Sequence, residues 1–289
     1  MANILLVVMW SSGFIGAELG TRYAGADTLL AWRFLAAAVV MVVLLRATRT
    51  PLSLSTAPRQ ALIGLLCQIS YLGGIVTGVG LGVPPGTSAL IASLQPLVVA
   101  SVAGPLLGER TGVRQRIGLV VGILGVSLVV GNDLGGAAAP VHAYLLVVGG
   151  MLALSAGTIL ERRWQPSRTL LESLAVQTFV SALGFLAIAA ALGHAAPPAT
   201  AGFWWSVVWV VALSTFGGYG AYTFVVRRSG ATVASTLLYL TPPTTMLWAF
   251  VMFGDAVTAL GLTGLAVCAV GVVLALRRSA RREPVAAEA

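Results

Sequence analysis

Two ionisable side chains stand inside apolar stretches of the chain and are the first candidates for chemistry. Glu18 closes the first such stretch, and Arg33 lies early in the second. A charged group at the centre of a membrane helix costs roughly 3 kcal/mol on insertion scales and marks a functional position by default. Glu18 can exchange a proton or hold a cation; with Arg22 four residues on, it can equally form an interfacial ion pair. Arg33 can grip a carboxylate through two parallel N–H···O bonds. It can also reach for the interface and pair with Glu18 or Asp27. Both readings stay open for both residues.

Neutral polar and aromatic groups supply the rest of a candidate pocket: Trp10, Gln68, Tyr71, Gln95, Ser155, Thr158, Tyr219, Tyr222, Tyr239, Thr241 and Trp248. Such a lining suits an amphipathic small molecule, its rings stacking on apolar groups or giving cation–π contacts to an ammonium. Trp and Tyr also gather at bilayer interfaces, and Trp204 and Trp205, at the start of a stretch, are expected in that belt. Pro96 and Pro242 each lie in the middle of an apolar run. Proline lacks an N–H and clashes with the carbonyl four residues back, here at Ala92 and Leu238, so each run is expected to bend. Freed carbonyls are tolerated in lipid only against protein or a watery cavity, which puts the expected midplane pocket at these bends.

Other chemistries are missing. The chain has no Lys, hence no P-loop lysine for phosphates and no Schiff-base nucleophile. His142 and His194 form no ligand cluster, and Cys67 and Cys268 sit inside apolar runs as small hydrophobes. No catalytic residue, metal or cofactor is expected, and the chain is not read as an enzyme. Any energy must come from an ion or solute gradient, or from a separate subunit.

The elements that position these residues follow from composition. Of 289 residues, 58% are hydrophobic and 9% charged, with a mean hydropathy of +0.95. A soluble domain carries about 25% charged residues, so a soluble enzyme, a secreted disulfide scaffold and a nucleic-acid binder are excluded. Ten apolar runs emerge, at about 4–20, 28–45, 61–82, 87–107, 117–131, 143–160, 173–192, 203–226, 233–254 and 259–276. Each is near the ~20 residues that a span needs. The fold expected is an all-α polytopic membrane protein of ten transmembrane helices. The first run lacks a basic leader and runs into Glu18 rather than a cleavage site, so it is expected to remain in the mature protein.

All 17 basic residues are Arg. Arg46, Arg49 and Arg59 fall between runs two and three, and Arg110, Arg114 and Arg116 between four and five. Arg162, Arg163 and Arg168 follow run six, Arg227 and Arg228 follow run eight, and Arg277, Arg278, Arg281 and Arg282 lie beyond run ten. The alternate breaks hold only Arg22. The positive-inside rule then puts the basic loops and both termini in the cytoplasm. The net charge of +8 is thereby a topology signal, and no nucleic-acid partner is expected.

Displacing the sequence by 146 positions brings Leu94-Gln95-Pro96 onto Leu240-Thr241-Pro242 and Gly108-Glu109 onto Gly254-Asp255. It also brings Gly118-Leu119 onto Gly264-Leu265, Gly125-Val126 onto Gly271-Val272, and Gly74 and Thr77 onto Gly220 and Thr223. Two five-helix repeats are expected, 1–131 and 132–278, followed by a cytoplasmic tail, 279–289. Five is odd, so consecutive copies must cross the membrane in opposite directions. Such inverted repeats are an architecture of secondary transporters, in which exchanging the shapes of the halves exposes a midplane site alternately to each side. Gly118, Gly122 and Gly125, with Gly261, Gly264 and Gly271, are expected as close helix contacts, within a protomer or between protomers. Glu109 and Asp255 are expected to end runs four and nine on opposite sides of the membrane.

Trp10-Ser-Ser-Gly-Phe14, Arg33-Phe34, Pro96 followed by Gly108-Glu109, and the recurrence at Pro242 and Gly254-Asp255 resemble the EamA-type members of the drug/metabolite transporter superfamily. The resemblance spans essentially the whole chain. It implies a bacterial inner-membrane carrier, multi-pass, often an exporter of amino acids or related metabolites. Members often carry Lys eight residues after the first-helix Trp, where this chain has Glu18. The expected function is secondary export of small amphipathic metabolites such as amino acids by alternating access, with proton coupling open. The alternatives are efflux of hydrophobic cations using Glu18, and a non-transporting receptor or intramembrane enzyme. The expected partners are a small-molecule substrate, the lipid bilayer and, if coupled, protons; monomer and homodimer both remain open.

Overall fold

Runs of Ala, Val, Leu and Ile punctuated by glycine have no polar face for water, and in lipid every backbone group must be paired internally. In the computed structural model of the protein, residues 2–52, 57–107, 113–136, 139–164, 169–229 and 231–276 are described, and among them all regular structure is helical. The first half comprises α1 (Ala2–Thr21), α2 (Ala26–Ala47) and α3 (Ala57–Gly64), the last continued by a π-helical stretch (Leu65–Ser70) into α4 (Tyr71–Gly80). α5 (Pro85–Ala92), α6 (Gln95–Leu107) and α7 (Val113–Gly135) follow. The second half comprises α8 (Val141–Trp164), α9 (Leu170–Ala191) and α10 (Ala201–Trp209), the last continued by a π-helical stretch (Val210–Gly218) into α11 (Tyr219–Ser229). α12 (Ala231–Leu238), α13 (Thr241–Phe253) and α14 (Ala259–Leu276) complete it. Gly254 stops α13 in the left-handed conformation, φ 78°, which its missing Cβ allows.

Among the described residues eight helices are long and apolar enough to cross a membrane: Ala2–Thr21, Ala26–Ala47, Ala57–Gly80, Pro85–Val102, Arg116–Gly135, Val141–Trp164, Leu170–Ala191 and Ala201–Val225. They take up the first eight expected runs. The ninth run is divided into α12 and α13, and α14 provides a shorter apolar stretch, Ala259–Leu274. Each expected proline bend falls at a two-residue interruption of the helix, 93–94 in the first half and 239–240 in the second, with helical dihedrals kept at Ser93 and Leu240. α5 ends at Ala92 and α12 at Leu238, the residues whose carbonyls Pro96 and Pro242 obstruct. Leu94 N–H donates to the Ile91 carbonyl at 3.1 Å and Leu240 N–H to that of Leu237 at 2.9 Å, tight turns that carry the chain across each gap.

The element bounds repeat with the sequence. Ala231 and Leu238 of α12 stand 146 positions after Pro85 and Ala92 of α5, and Thr241 and Phe253 of α13 the same distance after Gln95 and Leu107 of α6. The two π-helical stretches also fall at nearly corresponding places. α7 packs on α14 through glycine: a methyl on Gly125 would meet the Gly264 carbonyl oxygen at 2.7 Å, and one on Gly271 that of Gly118 at 2.6 Å. Numbering rises along α7 as it falls along α14, so the two run antiparallel. Cys268 S–H donates to the Gly122 carbonyl at 3.3 Å in the same seam. These glycines are therefore contacts within one chain.

Loops at one end of the bundle are tied together. Thr28 donates to the His194 carbonyl at 2.9 Å, Trp32 to that of Ala195 at 3.1 Å, and Thr87 to the Asp133 carboxylate at 2.7 Å. The opposite end carries Arg46, Arg49, Arg59, Arg162, Arg163 and Arg228. Gly108, Glu109, Arg110, Arg168, Arg277, Arg278, Arg281, Arg282 and the tail lie outside the described residues, as do the side chains of Arg114 and Arg227. Large apolar side chains such as Leu145, Leu183, Leu247 and Val251 point outward, as a lipid-facing surface requires.

Candidate functional site

The π-helical turn in the second half shapes the surroundings of Arg33. Its extra residue lets the Thr215 hydroxyl donate to the carbonyl of Val210, five residues back, at 3.0 Å. With its proton spent, the Thr215 oxygen is an acceptor, and Arg33 Nη2 donates to it at 3.3 Å. Single π-helical turns inside α-helices are frequent at functional sites. Arg33 is 6% exposed, its Nε has no partner among the described residues, and its guanidinium lies 5.5 Å from the Phe34 ring centroid. The phenols of Tyr219 and Tyr71 lie within its electrostatic reach. A buried cation with an unspent donor is costly unless an anion completes it.

This corrects one expectation. Arg33 neither reaches the interface nor pairs with Glu18 or Asp27, because it enters α2 two turns deep, about 10 Å below the helix start. Asp27 instead meets His194 Nδ1 at 2.9 Å, and Glu18 Oε1 accepts from both Nε and Nη2 of Arg22 at 3.0 Å.

Beside Arg33 stands an aromatic wall. The Trp10 ring lies 5.8 Å from both Tyr219 and Tyr222, tilted at 57° and 43°. Tyr219 is 40% exposed, and Arg33, Cys67, Glu161 and Tyr222 lie in electrostatic reach of it. Thr241, at the second helix break, is buried with its hydroxyl unpartnered, and its carbonyl accepts from Ser11 at 3.4 Å. At the first break Gln95 donates to Thr158 at 3.1 Å, and Ser155, one turn before, donates to the Met151 carbonyl at 2.9 Å. Tyr71 and Tyr239 pack, half-buried, on one core cluster. Pro96 and Pro242 open the helices that follow the breaks.

Other candidates lie elsewhere. Gln68 is buried in a polar ladder: its amide donates to Gln177 Oε1 at 3.3 Å, its carbonyl accepts from Ser181 at 2.9 Å, and Gln177 donates to Gln60 at 2.8 Å. The Trp248 ring lies 5.6 Å from that of Trp209, tilted at 56°, and the Trp209 indole donates to the Ser12 carbonyl at 3.0 Å. Glu18 is two turns beyond Trp10. A crevice of about 370 Å³ lies between α2, α4, α8 and α9, lined by Ile69, Gly73, Gly149, Phe185 and Ile188 among others, and by none of the candidate residues. The expected coincidence of pocket and proline breaks does not extend to this crevice. Among the described residues no group of three or more His, Cys, Asp or Glu could hold a metal.

Thr215, Gln177, Gln60 and Trp209 escaped sequence reasoning. A glutamine in an apolar run is the one usable signal, since it must find a partner. Gln68→Leu is therefore expected to leave the Gln177 side-chain oxygen without its donor and cost about 1–3 kcal/mol. Thermal unfolding in detergent should show a lower midpoint, and an unchanged midpoint would contradict the ladder.

The EamA-like transporter family profile matches residues 1–131 and again 141–277. A Streptantibioticus cattleyicolor protein named "probable terminal-alkyne amino-acid exporter" is 27% identical over 97% of this chain and 94% of its own length. A Salmonella typhimurium protein named "probable amino-acid metabolite efflux pump" is 20% identical over 96% of each. A solved crystal structure shares the fold with a TM-score of 0.68, at 19% identity over 95% of this chain and 96% of that one.

Proposed function

We propose that this chain, which belongs to the EamA-like transporter family, is a secondary carrier that exports amino acids or similar carboxylate-bearing metabolites across the bacterial inner membrane. The observation that carries the reading is Arg33, a buried guanidinium with a donor unspent, beside the Trp10–Tyr219–Tyr222 wall. Arg33 takes the substrate carboxylate and the rings take its side chain or ammonium. Tyr71 stands within electrostatic reach of the same guanidinium. The names of the relatives, exporters of amino-acid compounds, support the substrate class.

The carrier has ten spans in two inverted repeats, the ninth broken at Tyr239–Leu240 and the tenth provided by α14. The repeated element bounds, the antiparallel α7–α14 seam and the profile's match to each half support this. The arginine-rich end faces the cytoplasm, with both termini there, and the Glu18–Asp133–Asp255 end faces outward. Alternating access follows when the two halves exchange shapes, driven by a solute or proton gradient.

Purified protein in liposomes tests this with L-phenylalanine against phenethylamine, which lacks the carboxylate. Phenylalanine flux that exceeds phenethylamine flux by roughly ten-fold is expected, about 1.4 kcal/mol of discrimination. Equal or reversed preference contradicts the reading and favours cation efflux. Glu18→Gln breaks only a partly exposed ion pair worth about 0.5 kcal/mol, so the variant's flux is expected to keep its response to an imposed pH gradient. Loss of that response alone would assign coupling to Glu18.

A further inference from the structure

At the end of the bundle opposite the arginines, contacts between the two halves of the chain converge on one junction. α5 lies against α13 and both lie against α1. Gly86, at the start of α5, has no room for a side chain: a Cβ there would collide with the Met246 side chain and come within 3.3 Å of the Met246 Cα and Cβ. One layer further out, Arg22 at the end of α1 lies over the Phe253 ring, 4.3 Å from its centroid. Glu18 fixes that guanidinium by accepting from Nε and Nη2 at 3.0 Å each. Asp255, just past the end of α13, lies in electrostatic reach of Glu18 and Arg22, and burial with the Glu18 charge pushes its carboxyl up while Arg22 pulls it back. Only about 50 Å³ of space remains beside the junction, between Gly86, Met246, Asp133 and Asp255.

We propose that this junction, Gly86 seated on Met246 beneath the Glu18–Arg22–Phe253 clasp, is the outer gate of the carrier, closed here and parted once in each transport cycle. The proposal rests on the alternating-access reading above and adds which contacts must break. Every partner on one side belongs to residues 1–92 and every partner on the other to residues 241–255, so relative motion of the halves cannot leave the junction intact. Gly86 makes the closure possible: only a residue without a Cβ lets the α5 backbone settle on the α13 backbone. The clasp adds a cation–π contact of about 0.5–1 kcal/mol at an exposed site, weak enough to be broken and remade repeatedly.

The test uses full-length protein with Cys67→Ala and Cys268→Ala. In the pair Gly86→Cys and Met246→Cys the second change removes the methionine side chain that a Cβ at 86 would strike, and the two Cβ atoms, about 3.3 Å apart, should let a disulfide form on mild oxidation. The cross-linked protein should lose phenylalanine exchange by at least ~10-fold and regain it on reduction, since only one of the two states stays populated. Independently, a single cysteine at Ser88, fully buried in α5, is probed from outside with a membrane-impermeant maleimide. Adding Gly86→Leu should raise its labelling rate about ten-fold by favouring the open state. Full exchange by the cross-linked protein, failure to cross-link, or unchanged Ser88 labelling in folded Gly86→Leu would overturn the gate. Absence of phenylalanine flux in the reduced parent would count against the carrier reading instead, leaving the labelling to decide the gate.

Discussion

Arg33→Gln is expected to lower phenylalanine flux in liposomes by about 100-fold, equivalent to ~2.7 kcal/mol, the size of a lost charge-assisted pair. Arg33→Lys keeps the charge but not the planar fork, and should retain an intermediate rate. Stability moves the other way. The guanidinium is buried and, among the described residues, hydrogen-bonds only to Thr215, with Nε left without a partner, so removing its charge relieves a desolvation cost. The unfolding midpoint of Arg33→Gln in detergent should stay level or rise as flux collapses. If flux and midpoint fall together, Arg33 is a structural strut and the substrate carboxylate binds elsewhere. Phenethylamine, which has no carboxylate to lose, should be transported as slowly by the variant as by the parent.

Gly271→Leu is expected to destabilise the protein by about 3 kcal/mol, the upper range for overpacking a fixed site. A Cβ at Gly271 would stand 2.6 Å from the Gly118 carbonyl oxygen and 2.8 Å from Gly122 N, both backbone atoms that cannot step aside. Gly125→Leu should behave alike, since its Cβ meets the Gly264 carbonyl at 2.7 Å across the same seam. Gly131 supplies the control, on the same helix with nothing within 4 Å, and Gly131→Leu should leave the midpoint unchanged. Equal midpoints for Gly271→Leu and Gly131→Leu would mean that α7 and α14 do not cross where described.

How far the sequence could be read depends on whether a residue's effect is local. Pro96 and Pro242 act on the carbonyl four residues back, so the positions of the two-residue interruptions were legible. The Glu18–Arg22 pair spans one turn of one helix, and spacing alone suggests it. The glycines of α7 and α14 announced close packing, but their reciprocal partners lie 139 and 153 residues apart along the chain and only the fold pairs them. Gln68 looked like a pocket residue because a lone amide in an apolar run can face a substrate or a buried partner. Its partner, Gln177, sits 109 residues away. Arg33 was noticed for its charge and misjudged in its surroundings. Its acceptor depends on a π-helical turn that no composition announces, in a run of Ala, Leu, Ser, Thr and Gly that reads as ordinary membrane helix.

The central claim, that the halves cross the bilayer in opposite senses, is tested most directly by labelling two matched positions. Val113 begins α7 and Ala259 begins α14, 146 residues later, and both are exposed. Each is replaced by cysteine in protein that carries Cys67→Ala and Cys268→Ala, then treated with a membrane-impermeant maleimide in intact cells and in inverted vesicles. The account predicts that Ala259→Cys reacts in cells and Val113→Cys only in inverted vesicles. Reaction of both cysteines from the same side would contradict it.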